Sequence, residues 1–226
     1  MIKRNQEVGR EFDDDQIVWK YFQYKNFIKM LETKTLYMGR ADLYEDKREF
    51  LATELHAHCF KMSVEDLQKS VDRIKENTYL SCWTMLEHES YLMWKAYSDL
   101  NTGIVVQSTP KRIMDSYSGD DHIVIGKVSY IDESTHSAQP FGAPLNWYYL
   151  VFSKLWFYED ERELRLSFED FTKTGSNVKP INLETLITGI RVAPKANDAF
   201  FEKIQGLVRS AGLKCRVLKS EIEINS

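Results

Sequence analysis

The sequence is poor in cysteine and lacks the marks of export or membrane insertion. Its three cysteines, Cys59, Cys82 and Cys215, are scattered through 226 residues. They are too few and too far apart for a disulfide framework or a structural zinc site. No stretch approaches the roughly 20 apolar residues of a membrane span. No apolar run follows the basic residues of the first ten positions, so no secretory signal is expected there. These absences point to a reducing, cytoplasmic setting with no membrane partner, in which each cysteine is a small buried hydrophobe rather than a nucleophile. Positive charge is also not in excess. With 30 Lys and Arg against 34 Asp and Glu, the net charge is −4. That argues against nucleic-acid binding through bulk charge, though a local basic groove remains open.

Several catalytic motifs are missing as well. There is no Gly-x-Gly-x-x-Gly after a strand, no phosphate-binding Gly-x-x-x-x-Gly-Lys-Ser/Thr, no His-Glu-x-x-His and no Gly-x-Ser-x-Gly elbow. His56, His58 and Cys59 lie close together, but on a helix the two imidazoles project roughly 200° apart and cannot share a metal. No metal is therefore expected. Repeats and low-complexity tracts are absent too.

What is present is an aromatic-rich chain, with 13% Phe, Trp and Tyr. Aromatics fill cores, and they also form stacking platforms for bases and nicotinamide-like rings. The pattern predicts strands at 17–22, 36–38, 78–84, 103–107, 123–130 (a pair, or one strand bulged at Gly126) and 163–168. Helices are expected over 27–32 capped by Asn26, over 50–75 in two pieces with a cap near Ser63, over 89–100, from Pro110 or Lys111 to near Gly119, and over 147–157. A strand-helix-strand unit with its helix at 198–210 and a stop at Gly212 closes the chain. Residues 1–15 read as a polar lead-in and 132–145 as a loop. Short strands with irregular connections favour an α+β fold over a doubly wound sheet, and the lack of a linker favours one domain over 1–226. Trp19, Phe22, Leu36, Leu80, Trp94, Val105, Leu164 and Leu166 are the expected core.

The strongest candidate for chemistry is the run from Lys154 to Arg165. On a half-buried strand, Glu161, Glu163 and Arg165 share one face while Leu164 and Leu166 point inward. Ionisable groups stacked at that spacing beside aromatics shift one another's pKa values, as at catalytic sites; a solvated, salt-bridged strand face is the plainer reading.

Four segments in order carry a family resemblance: Trp19-Lys20-Tyr21; Leu36 to Asp46 with Glu49; Leu80-Ser81-Cys82-Trp83-Thr84 leading to Met93-Trp94-x-x-Tyr97; and Lys154-x-x-Phe157-x-x-x-Glu161-x-Glu163-x-Arg165. The succession resembles the bacterial and phage domain-of-unknown-function family 2971. One departure is the loop after the second strand, which reads Leu43-Tyr44-Glu45-Asp46 where that family has Asn-Asp-Pro. The chain is more distantly similar to the ADP-ribosyltransferase fold. That resemblance implies two small mixed or antiparallel sheets flanked by helices, with NAD as substrate in the cleft of the split sheet. It further implies a basic residue on an early strand (Lys20 or Arg40), hydroxyls on a middle strand (Ser81, Thr84) and a late Glu-x-Glu. Glu163 and Glu161 would be catalytic. Arg40 would meet the pyrophosphate, Trp83, Trp94 or Tyr97 the nicotinamide, and Tyr21 and Arg165 would complete the cleft. The acceptor would be protein or nucleic acid, and the chain a toxin or phage-defence effector with an antitoxin or other defence partner. Two other readings stay open: a metal-independent nucleic-acid-acting effector using Glu163 as general base with Arg165 and Arg40 on phosphate, and a non-enzymatic partner-binding module.

Overall fold

A computed structural model describes residues 1–4, 11–46, 50, 57–58, 60–132, 147–172 and 175–224. Among these residues the fold is α+β. Nine strands form one mixed sheet: β1 (Ile2–Arg4), β2 (Val18–Phe22), β4 (Gly39–Arg40), β5 (Thr78–Thr84), β6 (Ile104–Ser108), β7 (Ile123–Lys127), β10 (Glu163–Glu169), β12 (Gly189–Val192) and β13 (Arg216–Lys219). Two small two-stranded sheets pair β3 (Thr35–Tyr37) with β11 (Val178–Pro180), and β8 (Ser129–Ile131) with β9 (Ser153–Leu155). Helices α1 (Tyr24–Thr33), α2 (Val64–Lys75), α3 (Tyr91–Tyr97), α4 (Pro110–Ser116), α5 (Trp147–Val151), α6 (Leu183–Leu186) and α7 (Asp198–Ser210) flank the sheets.

The large sheet runs β1-β7-β10-β5-β2-β6-β12-β13, and it is nearly two sheets. Strands β10 and β5 pair over seven residues, and β2 and β6 over five, but β2 meets β5 at one pair only, Trp19 with Thr84. Each half contains both parallel and antiparallel pairs, so the two expected small mixed sheets are present as halves joined at one rung.

The core lies on both faces. On one, Val18 and Phe22 of β2, Trp83 of β5, Leu164 and Leu166 of β10 and Ile123 and Ile125 of β7 pack against Phe27, Met30 and Leu31 of α1 and Ile204 and Val208 of α7. On the other, Leu80 and Val124 meet Leu67 and Val71 of α2 and Tyr149 to Phe152 at α5. All eight expected core residues are buried. The Ser63 cap is in place, its hydroxyl accepting from the Asp66 N–H at 3.0 Å, and the closing unit pairs β12 with β13 in parallel.

Several expectations are corrected. The lead-in is not unstructured throughout, because Ile2–Arg4 adds an edge strand to β7. Helix α1 starts at Tyr24 with Gln23 as its N-cap, ahead of Asn26. The stretch 147–157 is one turn of helix followed by β9 and a 3-10 helix (Trp156–Glu161); its poor alternation comes from β9 being buried throughout. Of the two alternatives for 123–130 the strand pair holds and the single strand bulged at Gly126 does not, the two strands belonging to different sheets. They break at Val128, whose N–H donates to the Glu163 carbonyl at 2.9 Å. Most consequentially, β10 is buried on both faces from Glu163 to Phe168 rather than half-buried. Glu49, His56, Cys59 and the loop from 133 to 145 lie outside the described residues.

Candidate active site

Antiparallel pairing from Trp19–Thr84 would continue with Tyr21 opposite Cys82, yet the ladder stops there. Lys20 takes the place of the missing rung. Its Nζ donates to the Cys82 carbonyl at 3.0 Å and lies 5.7 Å from the Trp83 ring. A carbonyl left open by the parting strands is thus satisfied by a side chain instead of a backbone amide. Burial pushes the Lys20 amine down, opposed by the nearby Cys82 and the Glu163 charge. Beyond this seam the halves diverge around a cleft of about 830 Å³, a size that suits a small-molecule ligand.

Trp19, Lys20, Tyr21, Cys82, Trp83, Thr84, Tyr97, Lys154, Glu161 and Glu163 all line this cleft. The register explains the convergence. Glu163 opposes Thr84 and Arg165 opposes Cys82, so alternation puts all four on one face of adjacent strands. The Glu163 backbone N–H donates to the Tyr130 hydroxyl at 2.9 Å. Its carboxylate is gripped by Arg165, with Nε at 2.6 Å from Oε1 and Nη2 at 3.0 Å from Oε2. Burial alone would raise the Glu163 pKa. Arg165 with its two charge-assisted hydrogen bonds, helped by Lys154 and Cys82, overrides that and holds it at about 2. Glu163 is therefore an ionised carboxylate over the whole physiological range.

Glu161 is not on the strand. It ends the 3-10 helix, and Arg162 (φ 41°) turns the chain into β10. Its carboxylate still reaches the same place, because the Tyr97 hydroxyl donates to Oε1 at 2.7 Å and the Lys154 ammonium to Oε2 at 2.6 Å. Lys154 also stands 3.8 Å from Glu163 Oε2, so one ammonium bridges both acids. Thr84 holds the turn with a 2.5 Å hydrogen bond from Oγ1 to the Glu161 carbonyl. Burial, with the Glu161 charge beside it, pushes the Tyr97 phenol up, and it stays protonated.

Four expected site residues lie elsewhere. Arg165 is fully buried, bound to Glu163 and to the Val151 carbonyl at 2.5 Å, and acts as a counter-ion rather than a ligand contact. Trp94 packs in the core, its Nε1 donating to Glu89 at 2.8 Å and its ring meeting Tyr21 edge to face. Ser81 opposes Leu166, which turns it to the core face away from Cys82 and Thr84. Arg40 does not line the cleft, and its guanidinium is paired with Asp42 at 2.6 Å. Conversely, sequence reasoning singled out neither Lys154 as a bridge nor Tyr130 and Cys82 as neighbours of Glu163. Only the alternation of Cys82 with Thr84 could have signalled one of them. Among the described residues no group of three His, Cys, Asp or Glu could hold a metal, and no helix is long and apolar enough to cross a membrane.

No protein-family model matches the chain, and no curated protein does. The resemblance to the domain family of unknown function thus rests on its motifs alone. Among solved structures, the chain is similar to Thermus sp. 2.9 DarT in complex with ADP-ribosylated ssDNA, with a TM-score of 0.45 and 10% identity over 94% of this chain and 98% of that one. The same protein in complex with NAD+ gives a TM-score of 0.43 and 9% identity over 93% and 98%.

Proposed function

We propose that the chain is an ADP-ribosyltransferase-like enzyme that consumes NAD and transfers ADP-ribose to a macromolecular acceptor, protein or nucleic acid. The observation that carries this reading is the ionised Glu163 at a cleft where a split sheet opens. Breaking the nicotinamide–ribose bond builds positive charge on the ribose, and nicotinamide leaves neutral. A carboxylate whose charge is already fixed stabilises that state without reorganising. Arg165 sets this charge from behind while staying out of the ligand's way.

Glu161 is the acceptor-facing group. Tyr97 and Lys154 aim its carboxylate, and an incoming nucleophile displaces one of these hydrogen bonds to hand over its proton. Tyr97, 46% exposed at the mouth, supplies the ring that packs on nicotinamide. Trp94 does not, since it is buried. The same geometry weakens the nuclease reading, because a carboxylate with a pKa of about 2 is a poor general base. The partner-binding reading rests on Trp156 and Phe157, each 52% exposed next to the cleft-lining turn. A defence partner or antitoxin would dock there.

Incubating the purified protein with NAD and following nicotinamide release tests the proposal. Release that depends on Glu163 supports it. Absence of release, with NAD binding undetectable by calorimetry, ends it.

A further inference from the structure

Among the described residues four lysines line the cleft, and Lys20 is unlike the other three. Lys154 is held between Glu161 and Glu163. Lys25 and Lys29, on α1, are exposed, and water keeps an exposed amine protonated. Lys20 is half-buried where β2 and β5 part, and among the described residues it makes no ion pair. An ammonium carries three N–H donors, and this one has a single hydrogen-bond partner there, the Cys82 carbonyl at 3.0 Å. The rings of Phe22 and Trp83 lie 5.8 and 5.7 Å away, at the outer limit of a cation–π contact. A neutral amine suits the same place better: one N–H meets the carbonyl, and the nitrogen keeps a free lone pair. Burial lowers the Lys20 pKa against the opposing pull of Cys82 and Glu163. Its neutral fraction therefore exceeds the roughly 10⁻³ of an ordinary lysine at pH 7.5.

The position of this amine matters as much as its state. The Cys82 carbonyl takes Lys20, and the Cys82 thiol hydrogen-bonds to Glu163. Amine and carboxylate are thus held by the two ends of one residue, inside a cleft of about 830 Å³. A desolvated amine among apolar groups, open to a small-molecule cleft, is the arrangement that makes a lysine a nucleophile toward carbonyl carbon.

We propose that Lys20 is a carbonyl-capturing residue, forming an imine with the open-chain aldehyde of a sugar whose anomeric carbon is free. The amine nitrogen bonds to the aldehyde carbon, the carbon–oxygen bond breaks, and both amine hydrogens leave with that oxygen as water. The protonated imine retains one N–H for the Cys82 carbonyl. For a natural source of the sugar the inference rests on the NAD reading. Hydrolysis of NAD leaves ADP-ribose with a free anomeric carbon facing Glu163, beside this amine. Capture of that product blocks the cleft, so hydrolysis limits itself, whereas transfer passes the anomeric carbon to the acceptor and escapes the trap.

The test uses wild-type protein at pH 7.5, incubated with ribose 5-phosphate or with ADP-ribose in the presence of cyanoborohydride, which reduces an imine to a stable secondary amine. Peptide mass mapping then reads the site. Lys20 should be labelled by both sugars about 10-fold or more faster than Lys25 and Lys29, since each pKa unit changes the neutral fraction tenfold. Lys20→Arg keeps a positive donor without a nucleophilic amine and should lose that adduct alone. Labelling of Lys20 no faster than of Lys25 and Lys29 would overturn the proposal even in a protein that cleaves NAD. Fast labelling by ribose 5-phosphate in a protein that never releases nicotinamide would uphold the capture site and end the NAD reading instead.

Discussion

The guanidinium of Arg165 holds both carboxylate oxygens of Glu163, two residues earlier on the same strand, with the Arg165 side chain 0% and that of Glu163 4% exposed. Each residue satisfies the other's charge in a place water does not reach. Removing one takes from the second its main counter-charge, which costs far more than the pair contributes.

Glu163→Gln is therefore expected to lose activity and stability together. Taking the counter-charge from buried Arg165 costs about 3–5 kcal/mol, and at about 2–4 °C per kcal/mol for a chain this long the melting temperature drops by roughly 6–20 °C. Activity on the single variant cannot separate chemistry from folding. Glu163→Gln/Arg165→Met can: replacing both charges should restore most of the melting temperature while nicotinamide release stays down by about 10²-fold or more. A double variant that melts normally and cleaves NAD at the wild-type rate would remove Glu163 from the mechanism.

The same pair sets an acid limit. The folded Glu163 pKa of about 2 lies below its ordinary value of 4.5, so the unfolded chain binds the extra proton first. The stability it contributes is complete above about pH 4.5 and is lost as pH falls toward about 2. Melting temperature should fall across that window, and the fall should be shallower in Glu163→Gln/Arg165→Met. Equal slopes in the two proteins would mean that other carboxylates govern acid unfolding.

Tyr97→Phe keeps the ring and removes the 2.7 Å hydrogen bond to Glu161. Its side chain is partly exposed, so the melting temperature should hardly move. With Glu161 less firmly aimed, ADP-ribose transfer should drop by about 10-fold relative to NAD hydrolysis. Equal losses in both reactions would place the hydroxyl on the shared bond-breaking step instead.

Glu89 makes a contrasting case. Its buried carboxylate accepts from Trp94 Nε1 at 2.8 Å, Ser220 Oγ at 2.6 Å, the Glu221 N–H at 2.6 Å and Arg191 Nη1 at 3.2 Å, tying α3 to β12 and to the segment after β13. Glu89→Ala takes this acceptor from Trp94, Ser220 and the Glu221 N–H, while Arg191 keeps Glu221 at 2.8 Å, and should cost about 3 kcal/mol or more, seen as a lower melting temperature. Nicotinamide release per folded molecule should be nearly unchanged, because Glu89 does not line the cleft.

Much of this was legible without coordinates. Leu164 and Leu166 had to share a face, and Glu163 and Arg165 the other, because side chains alternate along any strand. Ser63 had to cap a helix, and the last strand-helix-strand unit had to pair in parallel through its helix. Helix boundaries were less secure: α1 starts at Tyr24, ahead of Asn26, with Gln23 at its N-cap and no side-chain hydrogen bond capping it.

Periodicity says which residues lie together and not what covers them. That α5 and β9 close over β10 was decided by long-range packing, and this turned Arg165 from a candidate ligand contact into a buried counter-ion. Trp94 in the core, Arg40 paired with Asp42, and Lys154 bridging two acids were settled in the same way. The cleft itself exists because β2 and β5 share a single rung, and the point at which two strands stop pairing is a property of the whole twisted sheet rather than of either strand's residues.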